Sequence, residues 1–107
     1  MSVPVPGQVY RVPLRGTGHE VTGPHYAVVV SDEAFNELCT VVVVPFSIGA
    51  RRYSWRVPVR IHGQLTLALT EQVRAVDKSS LKELIGMVEP GALFQIRHFI
   101  AEIIGTV

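Results

Sequence analysis

Two runs, HYAVVV at positions 25–30 and TVVVVPF at 40–46, are apolar on consecutive residues rather than on alternate ones. Continuous β-branched runs of this kind belong to strands covered on both faces. Between them, Ser31-Asp32-Glu33-Ala34 supplies an N-cap and an acidic first turn, which predicts a short helix of about two turns ending before Cys39. The rest of the chain has to supply the layers that cover these strands.

Most of it reads as strand. Residues 8–14 form a short extended run closed by Arg15-Gly16-Thr17-Gly18, whose glycines permit a tight loop, and Gly23-Pro24 is a second breaker. Residues 52–61 alternate, with Tyr53, Trp55, Val57 and Val59 on one side and Ser54, Arg56, Pro58 and Arg60 on the other. Pro58 cannot donate to a ladder, so this strand is expected at an edge or a bulge. His62-Gly63-Gln64 makes a turn, and residues 65–76 return as the next strand of a hairpin. A single helical turn at 78–81 and a last strand at 85–88 follow. Glu89-Pro90 then opens a helix whose apolar residues Leu93, Ile96, Ile100, Ile103 and Ile104 recur at three and four, and Gly105 ends it. The pattern predicts a mainly β domain, a strongly bent sheet or small barrel with one short inserted helix and a C-terminal α-helix.

With 107 residues the chain is read as one domain, 1–107, able to bury about two-thirds of its unfolded surface without disulfides or metal. Cys39 is its one cysteine, and its place before an apolar run reads as a buried small hydrophobe rather than a reactive thiol. No segment approaches the roughly 18 apolar residues of a membrane span, and the N-terminus has no basic stretch ahead of an apolar helix. The expectation is a soluble, unprocessed, cytoplasmic protein with no membrane contact.

Charge is unevenly placed. The net value is +1, yet positions 38–70 hold Arg51, Arg52, Arg56 and Arg60 and no acidic residue. These arginines fit either a solvated edge hairpin or a phosphate-binding surface. Glu71, Gln72 and Arg74 interrupt an otherwise apolar run. Desolvating a carboxylate and a guanidinium costs several kcal/mol unless they are paired, so they either lock the core together or act on a ligand.

Five blocks carry a resemblance: GTGHE at 16–20, AVVVSDEAFN at 27–36, VVVVPFS at 41–47, EQVRAVDKSSL at 71–81 and GMVEPGALFQIRHFIAEIIG at 86–105. In that order and spacing they resemble the MazF/PemK toxin family over nearly the whole chain. The resemblance implies a dimeric SH3-like barrel acting as a sequence-specific, metal-independent endoribonuclease on single-stranded RNA, mRNA included. It also implies a MazE-like antitoxin, whose peptide blocks the RNA groove, and no cofactor.

Metal-free cleavage by the 2′-hydroxyl requires a proton acceptor, a proton donor for the leaving 5′-oxygen and groups that stabilise the charged intermediate. The chain has no Cys-x-x-Cys pair or His/Asp cluster at metal spacing, so a zinc mechanism is poorly supported. Relative to the family, His25 stands at the usual arginine and Tyr26 at a common proline. Imidazole can exchange a proton where guanidinium cannot, so His25 can preserve, weaken or abolish cleavage. Ser47 stands at the usual threonine and keeps the hydroxyl, which can bond a phosphate oxygen or cap a turn.

Glu71 reads as a proton acceptor, an orienter of Arg74 or a buried ion pair, and Arg74 as a phosphate contact. The catalytic candidates are thus His25, Ser47, Glu71 and Arg74. The RNA-binding candidates are His19, Glu20, Gln72, Arg51, Arg52 and Arg56, set against the plainer reading of a solvated loop and strand face. Tyr53 and Trp55 read as core or dimer-interface packing, with base stacking as the alternative. His62 and His98 carry no assigned role. Two other readings stay open: a family member that binds without cutting, and a non-catalytic CcdB-like gyrase-binding toxin, against which the tail Ile104-Gly105-Thr106-Val107 lacks a tryptophan.

Overall fold

The computed structural model describes residues 3–105, so the final Thr106-Val107 of the tail lies outside the described residues. Its strands are β1 (Gln8–Leu14), β2 (Gly23–Val29), β3 (Thr40–Ser47), β4 (Val57–Ile61), β5 (Gln64–Ala68), β6 (Arg74–Asp77) and β7 (Leu84–Met87). A one-turn helix α1 (Glu33–Asn36) joins β2 to β3, and α2 (Pro90–Ile104) closes the chain. Single 3-10 turns lie at Thr70–Gln72 and Lys78–Ser80.

All strand pairs are antiparallel, in the order β4-β5-β3-β2-β1-β7. The strand β3 is the hub. One edge pairs with β2, placing Val28 opposite Val44. Its other edge is shared: Thr40 to Val43 pair with β6, and Phe46 and Ser47 with β5. The sheet curls until the β4–β5 turn approaches β7, where the His62 ring lies 3.2 Å from the Ile85 carbonyl.

The consecutive apolar residues follow from this layering. Val28, Val44 and Phe46 face one core with Val9, Val57, Val59, Ile61 and Ile96 of α2. Their neighbours Ala27, Val29, Val41 and Val43 face a second cluster with Val12 and Leu14, covered by Tyr10, Val21, Val76 and Leu81. Alternate residues of two adjacent strands thus fill two cores on opposite faces of one sheet.

Several boundaries differ from the sequence reading. The run 65–76 is not one strand: β5 ends at Ala68, and Gln72 N–H bonds back to the Leu69 carbonyl at 2.8 Å before β6 begins. Thr70, fully buried, sends its hydroxyl to the Trp55 carbonyl at 2.5 Å, which stabilises the break. The alternating run 52–61 becomes strand only from Val57, because Arg56 N–H closes a turn onto the Tyr53 carbonyl at 3.0 Å. Pro58 is on β4, an end of the strand order, as its missing N–H requires.

The helix α1 is half the expected length. Cys39 is exposed rather than buried, since it lies in the turn between α1 and β3. The end of α2 also departs from expectation: Ile103 and Ile104 are exposed, while Ile96 is the residue seated in the core. Arg97 sits beside it and anchors the helix to the end of β2, donating to the Val30 carbonyl at 3.0 and 2.7 Å and to Asp32 at 3.0 Å.

Ile96 is therefore the main tie between α2 and the barrel. Ile96→Ala is expected to lower the free energy of unfolding by about 2–5 kcal/mol, read from urea denaturation. A loss under about 1 kcal/mol would mean that the helix is held elsewhere.

Candidate active site

The polar residues of the EQVR segment are internal braces. Glu71 accepts from one edge of the Arg56 guanidinium, Nε at 3.1 Å and Nη2 at 2.5 Å, and from the Trp55 indole N–H at 3.2 Å. Arg56 Nη1 also reaches the Arg51 carbonyl at 2.8 Å. The Tyr53 ring stacks on Trp55 with centroids 4.7 Å apart, and the Arg56 guanidinium lies 4.9 Å from its centre. These contacts tie residues 51–56 to Glu71. Burial acts to raise the Glu71 carboxyl, but the Arg56 hydrogen bonds, its own backbone N–H, the Arg56 charge and the indole together hold it below the usual carboxylate range. The hydrogen bond from Arg56 to Glu71 holds the guanidinium above its ordinary value.

On the other side of the same turn, Gln72 and Arg74 secure the β1–β2 loop. Arg74 donates to the Arg15 and Val21 carbonyls, both at 3.0 Å, to the Gln72 carbonyl at 3.3 Å and to Gln72 Oε1 at 2.9 Å. Gln72 in turn accepts from Val21 N–H and donates to the His19 carbonyl, each at 3.2 Å. Within the loop, Glu20 accepts from Thr17 N–H and hydroxyl at 3.3 and 3.0 Å. Gly16 is required there, because a Cβ would stand 2.6 Å from that of Glu20.

One groove of about 520 Å³ takes Ile48 of the 48–56 loop into its lining and, on the side of the β1–β2 loop, only the β2 residues that follow that loop. Pro24, His25 and Tyr26 of β2 form one wall with Arg11 of β1; Phe46, Ser47 and Ile48 form its floor; Ile61, Gln64 and Thr66 form the far wall. The His25 Nδ1 lies 2.8 Å from the Phe46 carbonyl. A carbonyl can only accept, so Nδ1 carries the proton and Nε2 is left for a ligand. The neighbouring Ser47 hydroxyl makes only a long contact, 3.4 Å, to the Ile48 carbonyl. Arg52 lies just beyond, beside Ser47 in a smaller pocket with Leu65 and Thr66.

Of the sequence candidates, the groove unites His25 and Ser47. Glu71, Gln72, Arg56 and Arg74 do not line it; their polar atoms hold its loops. His19 and Glu20 are exposed on one loop, Arg51 and Arg52 on the other, with Arg51 5.4 Å from the centre of the Tyr53 ring. Tyr53 and Trp55 pack on each other in the loop instead of extending β4. Arg11, Gln64 and Thr66 were not singled out by the sequence, and Tyr26 was noted only as standing at a common proline. For Arg11 the available signal was a cation on the exposed phase of a half-buried strand, which does not say what lies across from it. Among the described residues, no three His, Cys, Asp or Glu side chains gather at metal-binding range.

A sequence model of PemK-like, MazF-like toxins of type II toxin–antitoxin systems matches residues 5–104. The chain belongs to this family. Among solved structures, MazF of Deinococcus radiodurans superposes with a TM-score of 0.89 at 24% identity, covering 99% of this chain and 100% of that one. An endoribonuclease from a mycobacterial species, solved with its cognate antitoxin, gives 0.81 at 24% identity and 97% coverage of each chain. The Mycobacterium tuberculosis toxin MazF-mt6 gives 0.73 at 15%, covering 89% of this chain and 93% of that one. At these identities the agreement concerns the fold, the expected SH3-like barrel with its inserted and C-terminal helices. No curated protein sequence matches the chain, and among the described residues no helix is long and apolar enough to cross a membrane.

The braces of this PemK/MazF-like domain make separate predictions. Glu71→Gln is expected to cost about 1–3 kcal/mol near neutral pH, measured by urea denaturation. Because the folded carboxyl lies below its unfolded value, this contribution is present above the usual carboxylate range near pH 4 and is lost as pH falls through the lower folded value. The gap between wild type and variant should therefore close in acid; a gap unchanged by pH would show that the carboxylate charge does not hold the loop. Separately, Arg74→Gln is expected to speed tryptic cleavage after Arg15 several-fold, while unchanged cleavage would remove Arg74 as the loop's anchor.

Proposed function

We propose that this protein is a toxin that cleaves single-stranded RNA, mRNA included, in the groove between His25 and Ser47, without a metal. The observation that carries this reading is the His25 ring, held at Nδ1 by the Phe46 carbonyl in a groove that Ser47 also lines. Membership of the PemK/MazF-like family supports it.

In the proposed reaction His25 Nε2 takes the proton of a ribose 2′-hydroxyl as that oxygen attacks the adjacent phosphorus. The 2′-O–P bond forms and the P–O5′ bond breaks. In-line displacement puts the leaving oxygen on the side away from the imidazole, so O5′ takes its proton from water at the open groove. The products are a 2′,3′-cyclic phosphate and a 5′-hydroxyl. Ser47 donates to a non-bridging phosphate oxygen, and Arg51 and Arg52 at the mouth attract the flanking backbone. His19 and Glu20 border the strand from the other loop. Glu71, Gln72, Arg56 and Arg74 serve the reaction as positioning residues, keeping the two loops at the groove mouth.

The biological setting we infer is a toxin–antitoxin pair in the cytoplasm, with a homodimer neutralised by a cognate MazE-like antitoxin. MazE–MazF complexes from Deinococcus radiodurans and the mycobacterial enzyme with its antitoxin support that partner class.

The test is incubation of purified protein with a long RNA in EDTA. Discrete fragments with 2′,3′-cyclic phosphate ends are expected, and intact RNA at high protein concentration would sink the proposal in favour of a member that binds without cutting. His25→Ala and Ser47→Ala should each slow cleavage, the first by about 100-fold or more. A His25→Ala variant that cuts normally would remove the imidazole from the mechanism, and His25→Arg tests whether a fixed cation can replace it.

A further inference from the structure

Three arginines of the surrounding elements have donors occupied by the protein. Arg56 is spent on Glu71 and the Arg51 carbonyl, Arg74 on two backbone carbonyls of the β1–β2 loop and on Gln72, and Arg60 on the Gly63 carbonyl at 3.1 Å. Arg11 differs. Its side chain makes one loose contact, 3.6 Å to the Glu83 carboxylate, with 55% and 65% of the two side chains exposed. An exposed pair of this geometry is worth little and exchanges readily for another anion.

The backbone beneath Arg11 is nevertheless fixed. Its N–H donates to the Glu83 carbonyl and its carbonyl accepts from Lys82 N–H, both at 2.9 Å, while β1 pairs with β2 on the opposite edge. In that pairing Arg11 stands directly across from Tyr26. Directly opposed residues share a face with Cβ atoms about 4.5–5.5 Å apart. The next pair on that face, two residues along, is Pro13 and Pro24. Arg11, Tyr26 and Pro24 therefore share one face of the β1–β2 pair and line the groove, which His25, on the alternate phase opposite Val12, also lines. The Tyr26 side chain remains 37% exposed at the groove, so a flat ligand can reach its ring.

We infer that Arg11 and Tyr26 form a nucleotide seat next to the cleavage point, the Tyr26 ring stacking a base and Arg11 binding its phosphate in exchange for Glu83. The inference rests on the groove being an RNA site. The seat positions the strand and takes no part in bond breaking. Stacking tolerates any base, whereas the cation fixes where the backbone lies relative to His25. Glu83, the one acidic partner of Arg11 among the described residues, yields it to the more highly charged backbone.

The test measures binding of a short, fully 2′-O-methylated single-stranded RNA, which cannot be cut, by fluorescence anisotropy at several salt concentrations. Tyr26→Leu is expected to weaken binding about ten-fold and Tyr26→Phe to leave it near wild type. Arg11→Gln should weaken binding and lower the slope of log affinity against log salt by about 0.7, the loss of one single-strand phosphate contact. Glu83→Gln, which frees Arg11, should tighten binding about two-fold. Wild-type binding that Tyr26→Leu and Arg11→Gln leave unchanged, in affinity and in salt slope, overturns the seat alone. Absence of wild-type binding overturns the seat and the RNA reading together. Unchanged or weaker binding by Glu83→Gln overturns the exchange at Arg11.

Discussion

The strand β3 must satisfy backbone groups on two edges while burying side chains on two faces. Few residues can do both. Valine suits the demand, since its branched side chain covers a pleated surface on either face and carries no polar group needing a partner. Along Val41 to Phe46 these side chains fill both cores. Pro45, lacking an N–H, still uses its carbonyl, which accepts from Leu69 N–H at 2.9 Å. That bond is made just where β5 gives way to the Thr70–Gln72 turn, so the hub strand also determines where its neighbour breaks. The groove floor is the direct continuation of β3: Phe46 lends its carbonyl to His25, and Ser47 is the strand's last residue.

The turn after β5 solves a second problem. The two loops, 15–22 and 48–56, are built mostly from glycine and polar residues and bury little apolar surface, so side-chain packing alone gives them weak definition. A single segment reaches out in two directions, with Glu71 toward one loop and Gln72 and Arg74 toward the other. Charge-assisted, multidentate bonds are suited to this because they specify orientation as well as proximity. The desolvation of Glu71 is offset by three donors, and that of Arg74 by four acceptor contacts.

Much of this was legible in the residues. The bounds of β1 came directly from alternation and the glycines that follow, and α2 was marked at both ends by Pro90 and Gly105. The break inside 65–76 was not visible, because side chains at 65–69 and 73–76 keep a strand-like composition while the backbone turns between them. Tyr53 and Trp55 misled for a related reason: they continue the phase of Val57 and Val59, yet they face each other across a turn. His25 and Ser47 stood out only against the family pattern, at the positions of its usual arginine and threonine. The pairing of Arg11 with Tyr26 did not, since its significance lies in the β1–β2 register and no local pattern encodes which residues will stand opposite one another. The EQVR segment stood out by its polarity, but only the partners reveal that its hydrogen bonds hold the two neighbouring loops.

Arranging both braces on one turn has a consequence for how the molecule loosens. Glu71 and Arg74 are three positions apart and belong to the same short stretch of backbone, so fraying of that stretch releases the two loops as one cooperative unit. The buried residues of the two valine-rich cores lie outside the loops and would stay packed through such an event, although the second core would lose the cover of Val21. The protein can therefore occupy a state that is folded by every bulk measure and yet has no defined groove mouth, and amide exchange in 15–22 and 48–56 would share a single opening rate.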